Sequence, residues 1–106
     1  MYRATTPVHT FTLPISTSDC AVVLVTYEQG KTEINKEYNN DTLPSGMTFN
    51  DKDVVITLTQ EEANMFKTGK IDVQIRVLTN SGAAYASEKF KVKSLDVLND
   101  KILVEE

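Results

Sequence analysis

Apolar and polar residues alternate along most of the chain, which is the pattern of β-strands that bury one face. In the first such segment, Phe11, Leu13 and Ile15 alternate with two threonines and a proline. Because proline has no amide hydrogen to donate to a neighbouring strand, Pro14 predicts that this strand lies at a sheet edge or ends there.

Residues 21–27 differ from this pattern, because they are apolar on both faces and rich in valine. Two apolar faces are typical of a central strand that is covered on both sides. They also suit a strand that borders an assembly contact. Gln29 and Gly30 then indicate a turn, and the more weakly alternating residues 31–38 are predicted to form the next strand.

Turn residues dominate positions 39–46, after which the strand pattern returns. A short strand is predicted at 47–49. A longer strand follows, in which Val54, Ile56 and Leu58 alternate with another valine and two threonines.

One short helix is predicted between the strands. Thr59 precedes Glu62 by three residues, which is the spacing of a capping box at a helix start. The helix is expected to end before Gly69. Ala63 and Phe66 lie three residues apart, so they share one helix face that can close one end of a β core.

The clearest strand signal covers residues 71–77, where isoleucine and valine alternate with charged and amide residues. A turn at 80–82 leads into a second arm at 84–92, which predicts a hairpin with one buried face. We expect Val73, Ile75, Phe90 and Val92 to share one core.

About seven short strands with one short helix predict a mainly β chain, folded as a single immunoglobulin-like antiparallel β-sandwich. The length of 106 residues suits one domain, which we place at residues 1–94. Residues 95–106 are expected to form a C-terminal tail that either docks on a neighbouring element or frays. The cysteines and tryptophan of antibody domains are missing, because the chain has one cysteine and no tryptophan.

Charge and hydropathy exclude two classes of partner. A net charge of −4 does not suit nucleic-acid binding, which needs clustered lysine and arginine to replace counterions along the phosphates. No apolar run is long enough to cross a bilayer, and the N-terminus lacks the apolar core of a signal peptide. We therefore expect no membrane span and synthesis in the cytoplasm.

No pattern of side chains in the sequence indicates catalysis. His9 is the only histidine and Cys20 the only cysteine, and no Gly-x-Ser-x-Gly motif is present. Cys20 is expected to be a small buried residue. The carboxylates at 51 and 53 and at 61 and 62 suit a turn and a helix start. We expect no enzyme activity.

Metal and phosphate sites are not indicated either. The oxygen-rich residues 50–53 lack the ligand spacing, glycine and terminal glutamate of an EF-hand calcium loop. The four glycines are too dispersed to form a phosphate-binding loop. We expect neither a metal nor a cofactor.

The motif order in the C-terminal half resembles small structural proteins of tailed bacteriophages, in particular the N-terminal immunoglobulin-like domain of baseplate upper proteins. The resemblance is carried by residues 47–49, 53–62, 69–76 and 82–92. It implies a sandwich that attaches within or beside a phage tail or baseplate. The stalk or receptor-binding region of larger members is missing, which implies a free-standing assembly module of phage or prophage origin. Such a module is made in the host bacterial cytoplasm, and its presence in the virion is left open.

The valine-rich residues 21–27 and the apolar residues of the tail at 95–104 together offer more apolar side chains than one small core readily encloses. Excess apolar surface commonly forms an interface. The expected partners are the chain itself or co-encoded phage tail proteins. The alternative hypothesis is a cell-surface or secreted carbohydrate-binding β-sandwich module, although such modules usually display an aromatic platform. The candidate interface residues are Val23, Val25, Tyr27, Leu95, Leu98, Ile102 and Leu103.

Overall fold

The computed structural model describes residues 1–87 and 89–105. Its helical segments are a 3-10 turn at Thr17–Asp19 and the α-helix α1, Gln60–Met65. Its strands are β1 Val8–Thr12, β2 Cys20–Gln29, β3 Thr32–Asn39, β4 Met47–Asn50, β5 Asp53–Thr57, β6 Gly69–Thr79, β7 Ala84–Ala86 and β8 Phe90–Ser94.

The strands form two antiparallel sheets. The smaller has the order β1-β5-β4, and the larger has the order β3-β2-β6, with β7 and β8 both paired to the free side of β6. These orders match strands B-E-D and C′-C-F-G of an immunoglobulin-like sandwich, with β7 and β8 sharing the place of strand G. The predicted mainly β sandwich is therefore confirmed, and the described residues form eight strands instead of about seven. The edge position of β1 and the central position of β2 are also confirmed.

Strands β7 and β8 are two parts of one sheet edge, separated near Ser87. The Ser87 amide donates to the Ile75 carbonyl over 2.8 Å, and the Ser87 Oγ accepts from the Ile75 amide over 2.9 Å. A side-chain oxygen thus replaces a backbone carbonyl at this point. Pairing with β6 resumes at Phe90, which is opposite Val73.

The hydrophobic core lies between the inner faces of the two sheets. Alternate residues of β2 and β6 point inward and meet the inward residues of β5, as the alternation in the sequence predicts. Cys20 is buried at the start of β2, as predicted. The fully buried aliphatic side chains of these strands are Val23, Val25, Val54, Ile56, Ile71 and Val73.

An aromatic pair closes each open side of the sandwich. On one side, Phe11 of β1 meets Phe90 of β8 with ring centroids 5.5 Å apart. On the other, Tyr38 of β3 and Phe49 of β4 make an edge-to-face contact at 4.9 Å. Edge-to-face contact is a favoured geometry of aromatic pairs, so these rings cover part of each open side.

The prediction that Phe90 shares the core with Val73 and Ile75 was wrong in part. Val73 and Ile75 are buried, and Val92 is partly buried, but Phe90 is 40% exposed. Phe90 faces inward opposite Val73, yet β8 is an edge strand with no further strand beside it. One side of its ring therefore remains in contact with solvent.

Helix α1 begins with the predicted capping box. The Thr59 Oγ1 accepts a hydrogen bond from the Glu62 amide over 3.1 Å, and the Glu62 Oε1 accepts one from the Thr59 amide over 2.9 Å. Ala63 and Phe66 are fully buried against one end of the sandwich, as their spacing predicted. The helix ends before Gly69, which begins β6.

Candidate interaction surface

The outer face of the larger sheet carries an apolar surface, which we call the outer-face patch: Val22 and Leu24 of β2, Leu78 of β6 and Ala84 of β7. Val22 is the cross-strand partner of Leu78, which is in turn the partner of Ala84. Directly opposed side chains stand on the same face of a sheet. The patch therefore spans three strands, and it lines a groove of about 290 Å³.

Two opposite charges flank the centre of the patch. Leu24 lies directly between Glu37 on β3 and Arg76 on β6, in one row across the sheet. Glu37 accepts a hydrogen bond from Asn39 over 3.3 Å. Within residues 1–87 and 89–105, Arg76 is exposed and has no ion pair. The patch thus combines apolar side chains with an acidic and a basic side.

The structure corrects the predicted interface on β2. Val23, Val25 and Tyr27 are completely buried in the core, so these side chains cannot contact a partner. The prediction took the wrong face of this strand. Because both faces are apolar, the sequence of β2 alone does not say which one turns inward, and the partly exposed residues are the intervening Val22 and Leu24.

The other predicted interface residues lie in the C-terminal tail. Leu95 is half-buried and forms an isolated parallel bridge with Tyr2. Ile102 is half-buried, whereas Leu98 and Leu103 are exposed. The structure does not place a partner on them, so their role in an interface stays a prediction.

Hydrogen bonds hold the described part of the tail along helix α1. The Gln60 side chain makes two bonds to the backbone of Leu103, donating through Nε2 over 3.0 Å and accepting at Oε1 over 2.8 Å. The Asn64 amide group donates to the Asp100 carbonyl over 3.3 Å. These bonds place residues 100 and 103 beside α1.

Arg3 joins three parts of the chain, a role that the sequence did not indicate. Its guanidinium donates to the carbonyls of Phe66 at 2.7 Å and Asn64 at 3.1 Å, at the end of α1. It also pairs with Asp100 at 3.2 Å and Asp96 at 3.4 Å in the tail. Arginine suits this position because its planar fork presents five donors. Arg3 therefore stabilises the helix end and the tail together.

A further ion pair joins β3 to helix α1. Lys36 of β3 points inward, and its Nζ is 2.7 Å from the Glu62 Oε2. Burial alone would raise the pKa of the Glu62 carboxyl, but the hydrogen bonds from Lys36 and Thr59 and the charge of Lys36 together lower it. The capping box and this ion pair thus share one carboxylate, which links β3 to the helix.

The single histidine takes part in a structural contact. His9 Nδ1 is 2.6 Å from the Tyr27 hydroxyl, and the two rings lie 5.5 Å apart. Burial raises the pKa of Tyr27 far above its ordinary value, and the nearby Glu62 charge raises it further. Burial, and then the charge of the N-terminus, lowers the pKa of His9. Both groups are therefore neutral near pH 7, which suits a hydrogen bond inside the fold.

Other features of the described residues bear on the kind of site. Across 1–87 and 89–105, no cluster of three or more His, Cys, Asp or Glu side chains is placed to hold a metal ion. No helix in that part of the chain is long and apolar enough to span a membrane.

Comparison with known proteins adds no relative. No family model, curated protein or solved structure matches the chain. The functional interpretation therefore depends on the geometry and charge of the chain itself.

Proposed function

We propose that the chain is a non-enzymatic interaction module that binds protein surfaces through the outer-face patch, as a structural or adaptor component of a phage or prophage tail or baseplate. The observation that carries the binding role is the difference between the two outer faces of the sandwich. One face displays the apolar groove. The other carries Thr10, Thr12, Thr48 and Thr57, with Val8 at a corner and Val55 at the centre.

The two outer faces differ at their central positions. At the centre of the smaller sheet, the outward Val55 stands between Thr10 and Thr48. At the centre of the larger sheet, Leu24 has the apolar Val22 and Leu78 in the adjoining row. Contiguous apolar surface is uncommon on a monomeric protein and frequently marks an interaction site. Flanking charges then provide orientation and partner choice.

The phage assignment is supported by the sequence resemblance described above. It makes the partner either the chain itself or a co-encoded tail protein, and it makes the host bacterial cytoplasm the place of synthesis. A small sandwich with protected rims and one apolar outer face suits an assembly module. The fold alone does not imply a function, so the outer-face patch is the feature that supports a binding role.

The test is direct binding to proteins encoded beside this chain. Wild-type protein and the Leu24→Lys variant are titrated by calorimetry against each purified tail or baseplate protein from the same genome. The matched control is Val55→Lys, which places the same charge at the centre of the opposite outer face. We expect the wild type and the control to bind and Leu24→Lys to bind at least about 10-fold more weakly.

Absence of binding to every co-encoded structural protein would contradict the phage assignment. Equal binding by the Leu24 and Val55 variants would instead contradict the choice of surface. Circular dichroism and thermal unfolding of both variants establish that the folds are the same before binding is compared.

A carbohydrate-binding role has one observation in its favour. Tyr85 is 57% exposed beside a groove of about 300 Å³ that is also lined by Asp19, Asn80 and Ser81. An aromatic ring beside polar side chains is a common arrangement for stacking against a sugar. Saturation-transfer NMR with a panel of bacterial cell-wall oligosaccharides tests this role. Binding that is lost in Tyr85→Ala and kept in Leu24→Lys would favour it over the protein-binding proposal.

A further inference from the structure

We infer that the partner of the outer-face patch is a second copy of this chain, packed face to face so that Glu37 of each copy meets Arg76 of the other. This inference rests on the proposed protein-binding function and names the partner. It follows from the order of charges across the sheet.

The row at the centre of the patch reads Glu37, Leu24, Arg76 on three adjacent strands. Strands in a sheet are about 4.8 Å apart, so the two charged residues stand about 10 Å from each other with the leucine midway. Neither charge is paired with the other within the described chain. The row is therefore acidic on one side, basic on the other and apolar at its centre.

A two-fold axis parallel to β2, running in front of Leu24 and midway between the two packed faces, makes this row complementary to itself. The rotation exchanges the two sides of the row, so the acidic side of one copy faces the basic side of the next. Two Glu37–Arg76 pairs form at once, and Leu24 packs on its own copy. Such an isologous contact is the commonest form of protein dimer.

Other ways of stacking the same faces are disfavoured by charge. An axis across the strands would place Glu37 opposite Glu37 and Arg76 opposite Arg76. Like charges that meet in an interface repel each other, so the Glu37–Leu24–Arg76 row favours the orientation along the strands. The adjoining Val22 then also packs on its own copy, because it occupies the same central strand.

Packed sheets lie about 10 Å apart, which suits this set of side chains. A leucine and a valine from each copy fill the centre of the interface. The arginine and glutamate are long enough to reach across at the two sides, where charge pairs set orientation and partner choice. This arrangement accounts for the apolar Val22 and Leu24 and for the two charges that flank Leu24.

The test uses charge reversal and mixing. Arg76→Glu leaves a patch with two acidic sides, and Glu37→Arg leaves one with two basic sides. We expect sedimentation equilibrium of the wild type, up to millimolar concentration, to show dimers. Each variant alone is expected to have a dimer dissociation constant about 100-fold higher or more. An equimolar mixture of the two variants is expected to recover dimers, because both charge pairs are complementary in the heterodimer.

Two further samples complete the experiment. The double variant Arg76→Glu/Glu37→Arg restores opposite charges and is expected to dimerise like the wild type. If a reversal variant does not fold by circular dichroism, Arg76→Gln and Glu37→Gln are used in its place. Each of these alone should dimerise about 10-fold more weakly, and their mixture should regain one charge pair and dimerise more tightly than either variant alone.

The possible outcomes separate this inference from the function that it rests on. A wild type that remains monomeric, or a variant mixture that does not recover dimers, overturns the dimer. If a co-encoded tail protein still binds in a Leu24-dependent manner, the proposed function survives that result. Dimers that are lost and regained as expected support the inference even if no tail protein binds, in which case only the phage assignment fails.

Discussion

Replacing Glu62 with alanine removes the carboxylate that joins the capping box of α1 to Lys36. Two interactions are lost at once. The Thr59 amide loses its acceptor at 2.9 Å, and the Lys36 ammonium loses a partner at 2.7 Å. The Lys36 side chain is only 11% exposed, so its charge is left largely without compensation by water.

The cost follows from these two losses. Breaking a fully buried ion pair costs about 3–5 kcal/mol, and a lost hydrogen bond typically about 1 kcal/mol. The ammonium keeps some solvent access, so we expect Glu62→Ala to lower the free energy of unfolding by about 2–4 kcal/mol. The matched control is Glu61→Ala, an exposed neighbour on the same helical turn, which should cost less than about 0.5 kcal/mol.

A double-mutant cycle isolates the ion pair from the cap. Lys36→Met removes the charge but keeps a similar length of side chain, so it should cost less than Glu62→Ala. We expect the two changes to be coupled by about 1–3 kcal/mol, measured by urea unfolding at neutral pH. A coupling below about 0.5 kcal/mol would refute the pairing.

The pH dependence has a defined sign. The pKa of Glu62 is lowered in the folded state, so the folded protein favours the ionised carboxylate more than the unfolded chain does. Its stabilising contribution is fully present above the ordinary pKa of glutamate and is lost as pH falls through the lowered folded-state pKa. The stability difference between the wild type and Glu62→Gln should therefore shrink in acid. A difference that grows in acid would contradict the assigned charge state.

Three further changes test other parts of the fold. Ile75→Ala, at a buried position of β6, should lower the free energy of unfolding by about 2–5 kcal/mol. Asp72→Ala, at an exposed ion pair, should lower it by less than about 1 kcal/mol. The opposite order of urea midpoints would mean that the register of β6 is wrong. Thr59→Ala should cost about 0.5–2 kcal/mol and accelerate amide hydrogen exchange at Glu62, and an unchanged exchange rate would exclude the cap. Leu98→Asp should change stability by less than about 0.5 kcal/mol because the side chain is exposed, so weaker self-association of that variant in sedimentation would place the tail in an interface.

Much of the fold is predictable from local patterns. The alternation in β6 and the Thr59–Glu62 spacing each report a structure that a few neighbouring residues determine. Pairing between strands that are distant in the sequence cannot be predicted from such local patterns. The position of Phe90 depends on β8 being the last strand of its sheet, and the pattern of β8 itself does not contain that information.

The candidate surface was only partly predictable. The sequence singled out β2 correctly as unusual, because both of its faces are apolar. Choosing between Val23 and Leu24 as the exposed residue requires the pairing register with β3 and β6, which is set by long-range contacts. The row of Glu37, Leu24 and Arg76 also joins residues that are far apart in the chain. Charge complementarity across strands therefore becomes visible only in the folded molecule.

The inward Lys36 has a consequence for how the sandwich behaves when crowded. β3 is a sheet edge of eight residues, and a long edge can recruit another chain and extend the sheet without limit. An inward-pointing charge on an edge strand is one of the features that oppose such growth in natural sheets. The opposite edge is broken at Ser87, and the edges of the smaller sheet are only five and four residues long. All four edges thus resist fibril-like stacking, so association is directed to the faces of the molecule.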